Sequence, residues 1–229
     1  MFRDSSLQVP LKPGLQQVSI ALKPDPLFLR EEMAAAEQSL QTKLYLNAVE
    51  KSRTVLGLQP RDPEALSIMA EAFYSMHNFE KAAIYADEAT ANGGSVRFFI
   101  YHHHVLRPSH PAVLTIGPTS LQLENDSGTR CPLGHFIAPF TMLVESKVIY
   151  NNQGGILLHL RVRDPNKKRK VLTVNLGDPD ARIIFGPRTL NSNTSLAPGP
   201  YARPALDVIN DLLNRLRASA ETRTVNQAR

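Results

Sequence analysis

The chain is poor in cysteine and contains no long apolar run. Of its 229 residues, Cys131 alone is cysteine, so there is no second thiol with which to form an internal disulfide. No stretch of about 18 apolar residues occurs, which argues against a membrane span. No apolar signal core precedes Pro10. Together these absences predict a soluble, cytoplasmic protein.

Sequence motifs of known enzymes are also missing. The chain has no glycine-rich phosphate loop, no nucleophile elbow, and no paired histidine and carboxylate at the spacing that metalloenzymes use. The sequence therefore predicts a protein without catalytic residues and without a cofactor.

Charge is divided unevenly along the chain. Residues 1–94 contain 9 Lys and Arg against 12 Asp and Glu, a net charge of −3, and residues 95–229 contain 17 against 9, a net charge of +8. The two values make up the overall charge of +5. This asymmetry favours a domain boundary near Gly93-Gly94 and places any anion binding in the C-terminal part.

Two stretches of the N-terminal part repeat each other at a spacing of 34 residues. Three pairs of residues recur in register: Ala36 and Ala70, Tyr45 and Phe79, and Ala48 and Ala82. A fixed period of this length is typical of helix–turn–helix units, each of which buries its apolar face against its neighbours. Such units present a binding surface. The alternative is an unrelated pair of helical hairpins with a coincidental period.

Residues 63–94 carry the repeat pattern best. Asp62 is suited to capping a helix that begins at Pro63, and Gly93-Gly94 is suited to ending the second helix. This copy resembles a tetratricopeptide repeat, with Leu66 where that family often has tryptophan. The weaker copy, residues 29–62, is expected to begin its first helix early, at Asp25-Pro26.

Two units are fewer than the three or so that usually make a stable repeat array. The uncovered ends therefore require the rest of the chain, a second copy in a homodimer, or another partner.

Beyond the glycines the pattern changes from helical to alternating. About seven short strands joined by local turns are expected between Val96 and Leu176, followed by an amphipathic helix that Pro204 opens. This order resembles the pleckstrin-homology superfold, which implies a small curved barrel with the helix at one end. An immunoglobulin-like sandwich with an added helix is the alternative.

The predicted fold class is α+β. Tetratricopeptide-like helical hairpins precede a mostly antiparallel β domain with a C-terminal helix. The expected divisions are an irregular segment at 1–24, two helical units at 25–94, the β domain with its helix at 95–218, and a flexible tail at 219–229.

The resemblance to tetratricopeptide repeats implies a binding groove lined by the first helix of each unit. The register assigns ten partner-binding residues: Arg30, Met33, Glu37, Leu40, Gln41, Glu64, Ser67, Glu71, Tyr74 and Ser75. The Lys, Arg and Asn residues of the family's carboxylate clamp are largely missing. A mixed acidic and apolar lining predicts a basic or apolar peptide. The alternative is that this face packs against the chain's own C-terminal domain.

A cluster of basic residues surrounds one predicted hairpin turn. It consists of Arg161, Arg163, Lys167, Lys168, Arg169 and Lys170. Such residues attract anionic lipid headgroups or phosphates, each contributing about 1 kcal/mol near an anionic surface. The plainer interpretation is a solvated tip whose charges oppose edge-to-edge aggregation. Aromatic residues are not interleaved with the charges, which argues against nucleic acid.

Histidines form the third group of interest. His102 and His104 would share one face of a strand, and a third zinc ligand would come from His135 or His159. Half-buried strand histidines without a metal are the favoured interpretation.

The sequence therefore predicts an adaptor or scaffold that binds a protein or peptide partner through its helices and uses the β domain as a second contact. The first alternative is a peripheral module that binds an anionic membrane surface through the basic hairpin at 161–170. The second is a metal-dependent enzyme that uses the histidines.

Overall fold

A computed structural model describes residues 25–103, 110–125, 135–150, 156–163, 171–177 and 201–227. The predicted irregular segment at 1–24, the basic residues 167–170 and His104 lie outside the described residues. Within the described ranges, no helix is both long enough and apolar enough to cross a lipid bilayer.

The described chain is an α+β structure in which four helices precede an antiparallel sheet and a last helix follows it. The helices are α1 (Pro26–Gln41), α2 (Tyr45–Leu58), α3 (Pro63–Ser75), α4 (Phe79–Ala91) and α5 (Ala202–Gln227). The strands are β1 (Val96–His103), β2 (His110–Ile116), β3 (Ser120–Asn125), β4 (Phe136–Pro139), β5 (Leu143–Tyr150), β6 (Ile156–Arg163) and β7 (Val171–Gly177).

The two helical hairpins, α1–α2 and α3–α4, match each other at the 34-residue period. The last residues of α1 and α3 are 34 positions apart, and so are the first residues of α2 and α4. Ala36, Ala48 and their equivalents Ala70 and Ala82 are fully buried. Alanine at these positions allows the helices to approach closely, which is what the repeat pattern predicts.

The helix starts follow from capping. The side chains of Asp25 and Asp62 accept hydrogen bonds from backbone N–H groups at the starts of α1 and α3, and each helix opens with proline. These starts confirm the predicted caps. By contrast, Leu44 precedes α2 without any side-chain cap, whereas its equivalent Asn78 accepts from Lys81 N–H before α4.

The two hairpin turns have the same hydrogen bonds. After α1, the N–H of Lys43 donates to Leu40 O and that of Leu44 to Ser39 O, at 3.1 and 2.8 Å. After α3, His77 and Asn78 donate to the equivalent carbonyls of Tyr74 and Phe73 at 3.0 and 2.9 Å. This pairing is the Schellman motif, which requires a left-handed residue directly after the C-cap.

The seven strands form one antiparallel sheet in the order β4-β3-β2-β1-β7-β6-β5. Successive strands are neighbours except β4 and β5, which lie at opposite edges of the sheet. The two halves of the sheet are joined by pairing of β1 with β7, which runs only from Tyr101 to His103. The first half of β1 therefore has no described strand beside it on that side. This part of the strand meets the helical hairpins.

The predicted closed barrel is not present among the described residues. The edge strands β4 and β5 are joined by a 3-10 turn at Phe140–Met142 and form no ladder with each other. Helix α5 packs against β5, β6 and the 3-10 turn, so the apolar stripe of Leu206, Ile209 and Leu213 covers this opening. The covered opening explains why the sheet need not close.

Side chains of α5 also satisfy the free edge of β5. Asn214 donates to Ser146 O and Arg217 to Val144 O, at 3.3 and 2.7 Å.

The prediction that the helix ends before Ser219 is wrong, because α5 continues to Gln227. Alanine, glutamate and arginine in this last stretch favour helix, and Ala220 still packs against the core.

Helices and sheet share one continuous hydrophobic core. Helix α3 packs on β1, where the rings of Tyr74 and Phe98 meet edge to face with their centroids 5.0 Å apart. Helix α4 packs on α5, and Arg215 pairs with Asp87 at that contact. The helical hairpins are thereby fixed against the β part of the chain.

Candidate functional site

A groove of about 520 Å³ lies where the turns of both hairpins face β1. Its walls are the last turns of α1 and α3, the first residues of α2 and α4, and the part of β1 that lacks β7 as a neighbour. Ala205 of α5 completes the lining. The groove is thus built by the repeat and the sheet together.

Aromatic side chains dominate the groove walls. Tyr45 and Phe79 occupy equivalent positions at the starts of α2 and α4, and Tyr74 packs edge to face against Phe79 with ring centroids 5.7 Å apart. Phe99 enters from β1 and is 56% exposed. An exposed phenylalanine beside three other aromatic rings forms an apolar surface suited to a large apolar side chain.

The two turn residues at the groove have unfavourable backbone angles. Lys43 and His77 have φ values of 61° and 60°, and both line the groove. At the equivalent position after α4, away from the groove, the chain has Gly93 with φ 91°. The left-handed conformation costs a residue with a Cβ about 1 kcal/mol that glycine avoids. The side chains of Lys43 and His77 are therefore present at the groove at a cost to the stability of the backbone turns.

Glu71 and Arg97 form an ion pair between α3 and β1. The Glu71 side chain is buried, and its Oε1 accepts from both the backbone N–H and the Nε of Arg97, at 3.0 and 3.1 Å. A further contact of 3.1 Å joins Arg97 Nη2 to Oε2. Burial raises the pKa of Glu71 above its ordinary value, against the opposing effect of Arg97, and the hydrogen bond to Glu71 raises the pKa of Arg97.

A second cavity of about 280 Å³ adjoins the same ion pair, because Glu71 and Arg97 line both cavities. Its lining includes Glu37 from α1 and Glu64 and Ser67 from α3. Burial raises the pKa of Glu64, with smaller contributions from the negative charges of Asp62 and Glu37. This cavity is therefore acidic, whereas the larger one is aromatic.

The two cavities contain most of the partner-binding residues that the sequence predicts. The larger cavity is lined by Leu40, Gln41, Glu71, Tyr74 and Ser75, and the smaller one by Glu37, Glu64, Ser67 and again Glu71. Arg30 and Met33 line neither. Arg30 is exposed, and Met33 lies one turn before Glu37 and packs against the core.

The face also packs in part against the sheet, as the alternative interpretation of the sequence expected. Glu71 and Tyr74 contact Arg97 and Phe98 of β1, so both side chains are largely withdrawn from solvent. The first helices of the repeat thus both hold the sheet and leave a groove beside it. Neither Glu71 nor Tyr74 offers much of its own surface to a ligand.

Sequence reasoning missed the groove residues contributed by the turns and by β1. These are Lys43, Tyr45, His77 and Phe79 from the hairpins, and Arg97 and Phe99 from the strand. Two features of the sequence could have indicated the turn residues. Lys43 and His77 are 34 residues apart, and each has a side chain at a helix end where glycine is preferred. No sequence signal places β1 beside α3, because that contact joins segments without a shared pattern.

The basic hairpin is described only in part. Arg161 and Arg163 are exposed on the same face of β6, since Leu160 and Val162 between them are buried. Glu145 lies between two cations, 3.5 Å from Arg161 and 2.8 Å from Lys147, and the hydrogen bond from Lys147 lowers its pKa. Part of the positive charge of this face is thus already neutralised.

The histidines that the sequence offered as metal ligands lie in different places. His102 shares a row of the sheet with Leu176 and the buried Leu158, whereas His159 is the next residue along β6 and faces the other side. In the described ranges, no group of three or more His, Cys, Asp or Glu side chains has the arrangement of a metal site.

The other histidines lie apart from His159 as well. His102 instead meets His110 of β2, with ring centroids 5.1 Å apart and both side chains buried. His135 lies at the β4 edge of the sheet, where its Nδ1 is 3.8 Å from the carboxylate of Glu124. Four strands separate that edge from β6.

The aromatic and acidic cavities therefore meet at the Glu71–Arg97 pair, which lines both of them. Comparison with protein-family models and with curated proteins finds no match to this sequence. The geometry of the two cavities carries the functional interpretation.

Proposed function

We propose that this chain is a non-catalytic adaptor that binds a protein or peptide partner in the aromatic groove between its hairpin turns and β1. The two hairpins act as tetratricopeptide-like units. The β part, which we propose to be a pleckstrin-like unit, forms one wall of the groove and provides the second contact. The proposed setting is the cytoplasm.

The strained turns are the observation that carries this proposal. Lys43 and His77 adopt left-handed angles at equivalent sites, and both line the groove, whereas the third such turn has glycine. Backbone stability favours glycine at such positions. The His77 ring is held by stacking on Tyr201, with ring centroids 4.3 Å apart, so the proposal rests mainly on Lys43, which is exposed. A long polar side chain in a strained turn next to an aromatic cavity, as at Lys43, is what a recognition surface requires.

The electrostatics of the groove support binding over catalysis. Its buried carboxylate, Glu71, is held by four contacts to Arg97 and serves to join α3 to β1. A carboxylate used in this way is not available to exchange protons with a substrate. The remaining lining is mainly apolar, which suits a side chain that is buried on binding.

Replacement of Phe99 by serine tests the proposal. Phe99 is more than half exposed, so its loss removes groove surface with little effect on the core. The matched control is Ile137→Ser, since Ile137 is 52% exposed on β4 and lies away from the groove. Proteins cross-linked and identified from source cells should be lost with Phe99→Ser and retained with Ile137→Ser. Equal capture by both variants and the wild type would contradict a groove-mediated function.

One observation favours a second function, attachment to anionic membranes or phosphates. Arg161 and Arg163 project from the same exposed face of β6 and precede the other four basic residues of the cluster in the sequence. Sedimentation with vesicles rich in phosphatidylserine at physiological salt separates the two functions. Binding that Arg161→Glu with Arg163→Glu abolishes would favour the membrane, and a lack of sedimentation would exclude it.

A further inference from the structure

Helix α3 runs past both cavities and sets the length of the site. Glu64 lies at its beginning, beside the acidic cavity, and Ser75 at its end, beside the aromatic one. Its 13 residues span about 20 Å at about 1.5 Å per residue. An extended peptide covers that distance with about six residues.

The charges of the side chains that line the two cavities change sign from the beginning of α3 to its end. At the beginning of α3, Glu37 and Glu64 face the same cavity. In the middle, Glu71 and Arg97 neutralise each other. At the far end, Lys43 is exposed at the edge of the aromatic cavity. The site is therefore negative at one end, apolar and neutral in the centre, and positive at the other end.

Crowding of the carboxylates gives the acidic end a preference for cations. The pKa of Glu64 is raised mainly by burial and further by the negative charges of Asp62 and Glu37, so these two charges disfavour the ionised form of Glu64. A basic side chain placed between Glu37 and Glu64 would relieve that repulsion. At the opposite end, Lys43 provides the complementary attraction for an acidic side chain.

We infer that the partner presents an extended segment of about six residues with a basic residue at one end, a large apolar side chain within it and an acidic residue at the other end. The basic residue occupies the acidic cavity, the apolar side chain lies against Phe99 and Tyr45, and the acidic residue reaches Lys43. This inference rests on the proposed docking function and specifies the chemistry of the occupant.

Selection from a library of random peptides displayed on phage tests it directly, with the full chain as bait. The wild-type chain should enrich peptides in which Lys or Arg and Asp or Glu flank a large apolar residue. The double variant Lys43→Glu with Glu64→Lys should enrich peptides of reversed charge order that keep the apolar residue. Glu80→Lys is the matched control for Glu64→Lys, because both glutamates are second residues of their helices. Arg53→Glu, exposed on α2, is the control for Lys43.

Affinities of a selected peptide make the test quantitative. Glu64→Lys should weaken binding about fivefold at low salt, and the two controls should leave it within about twofold. Enrichment that Phe99→Ser abolishes but that shows no charge order would overturn this inference and leave the docking function standing. Absence of any enrichment that depends on Phe99 would overturn both. Circular dichroism of each variant establishes that it is folded.

Discussion

Removal of the Glu71 carboxylate should loosen the contact between α3 and β1. In Glu71→Ala, the backbone N–H of Arg97 loses its acceptor at 3.0 Å, and the guanidinium loses contacts at 3.1 Å to both carboxylate oxygens. Truncation of one partner of a fully buried ion pair costs about 3–5 kcal/mol. Here the Arg97 side chain is 42% exposed and regains water, which lowers the cost. We expect the free energy of unfolding to fall by about 2–3 kcal/mol.

A milder substitution separates the charge from the hydrogen bond. Glu71→Gln keeps an oxygen that can accept from the Arg97 N–H and loses only the ion pair, so a decrease of about 1 kcal/mol is expected. Glu88→Ala removes a carboxylate from an exposed position on α4 and should change stability by less than about 0.5 kcal/mol.

Urea denaturation followed by circular dichroism measures these differences, provided that the slope of the transition is unchanged. A decrease of less than about 0.5 kcal/mol for Glu71→Ala would refute the reasoning, because the ion pair would then not hold α3 to β1. A double-mutant cycle with Arg97→Ala would locate the coupling energy. A cycle without coupling would assign the loss to the hydrogen bond from the backbone N–H of Arg97 and to packing of the Glu71 side chain, because Arg97→Ala leaves both in place.

Two further outcomes follow from the groove. Lys43→Gly should raise the free energy of unfolding by about 1 kcal/mol, because glycine adopts a φ of 61° without a Cβ clash. Urea denaturation measures this difference. A variant less stable than the wild type would show that the turn carries no strain. Glu64→Gln should reduce the pH dependence of stability. Because the pKa of Glu64 is raised in the folded state, its stabilising contribution is fully present below the ordinary value of 4.5 and is lost as the pH rises through the raised value. The wild type should therefore lose stability relative to the variant as the pH rises above 4.5. The difference should be well under about 1 kcal/mol, because Glu64 is largely exposed, and it should shrink in salt; an unfolding free-energy difference that does not change with pH would contradict the crowding of Glu37, Asp62 and Glu64.

Local signals were sufficient to locate the helices and strands, except for the end of α5, which continues to Gln227. Asp62 followed by Pro63 caps a helix through groups only two or three residues away, and the 34-residue spacing of the alanines reflects the contact between helices that are adjacent in sequence. Such interactions depend on neighbouring residues, so they are readable from the chain. For the same reason, the strands of the meander were expected close to where they lie.

Tertiary structure alone decided where the groove lies and which side chains form it. In the sequence, Arg97 and Phe99 are alternate residues of a predicted strand. No pattern in the neighbouring residues indicates that this strand contacts α3. From its position in the 34-residue repeat, Glu71 was predicted to be a partner-binding residue. It is buried because β7 stops pairing with β1 at Tyr101 and leaves the Arg97 N–H to a carboxylate from the helices.

The sequence by itself thus determined the repeat, its caps and turns, and the order of the elements, because these depend on interactions over a few residues or one repeat length. Packing of the helical hairpins on the sheet determined the rest: an aromatic groove, an adjoining acidic cavity, and the Glu71–Arg97 pair that lines both. That arrangement depends on contacts between distant segments, and such contacts leave no periodic pattern in the chain.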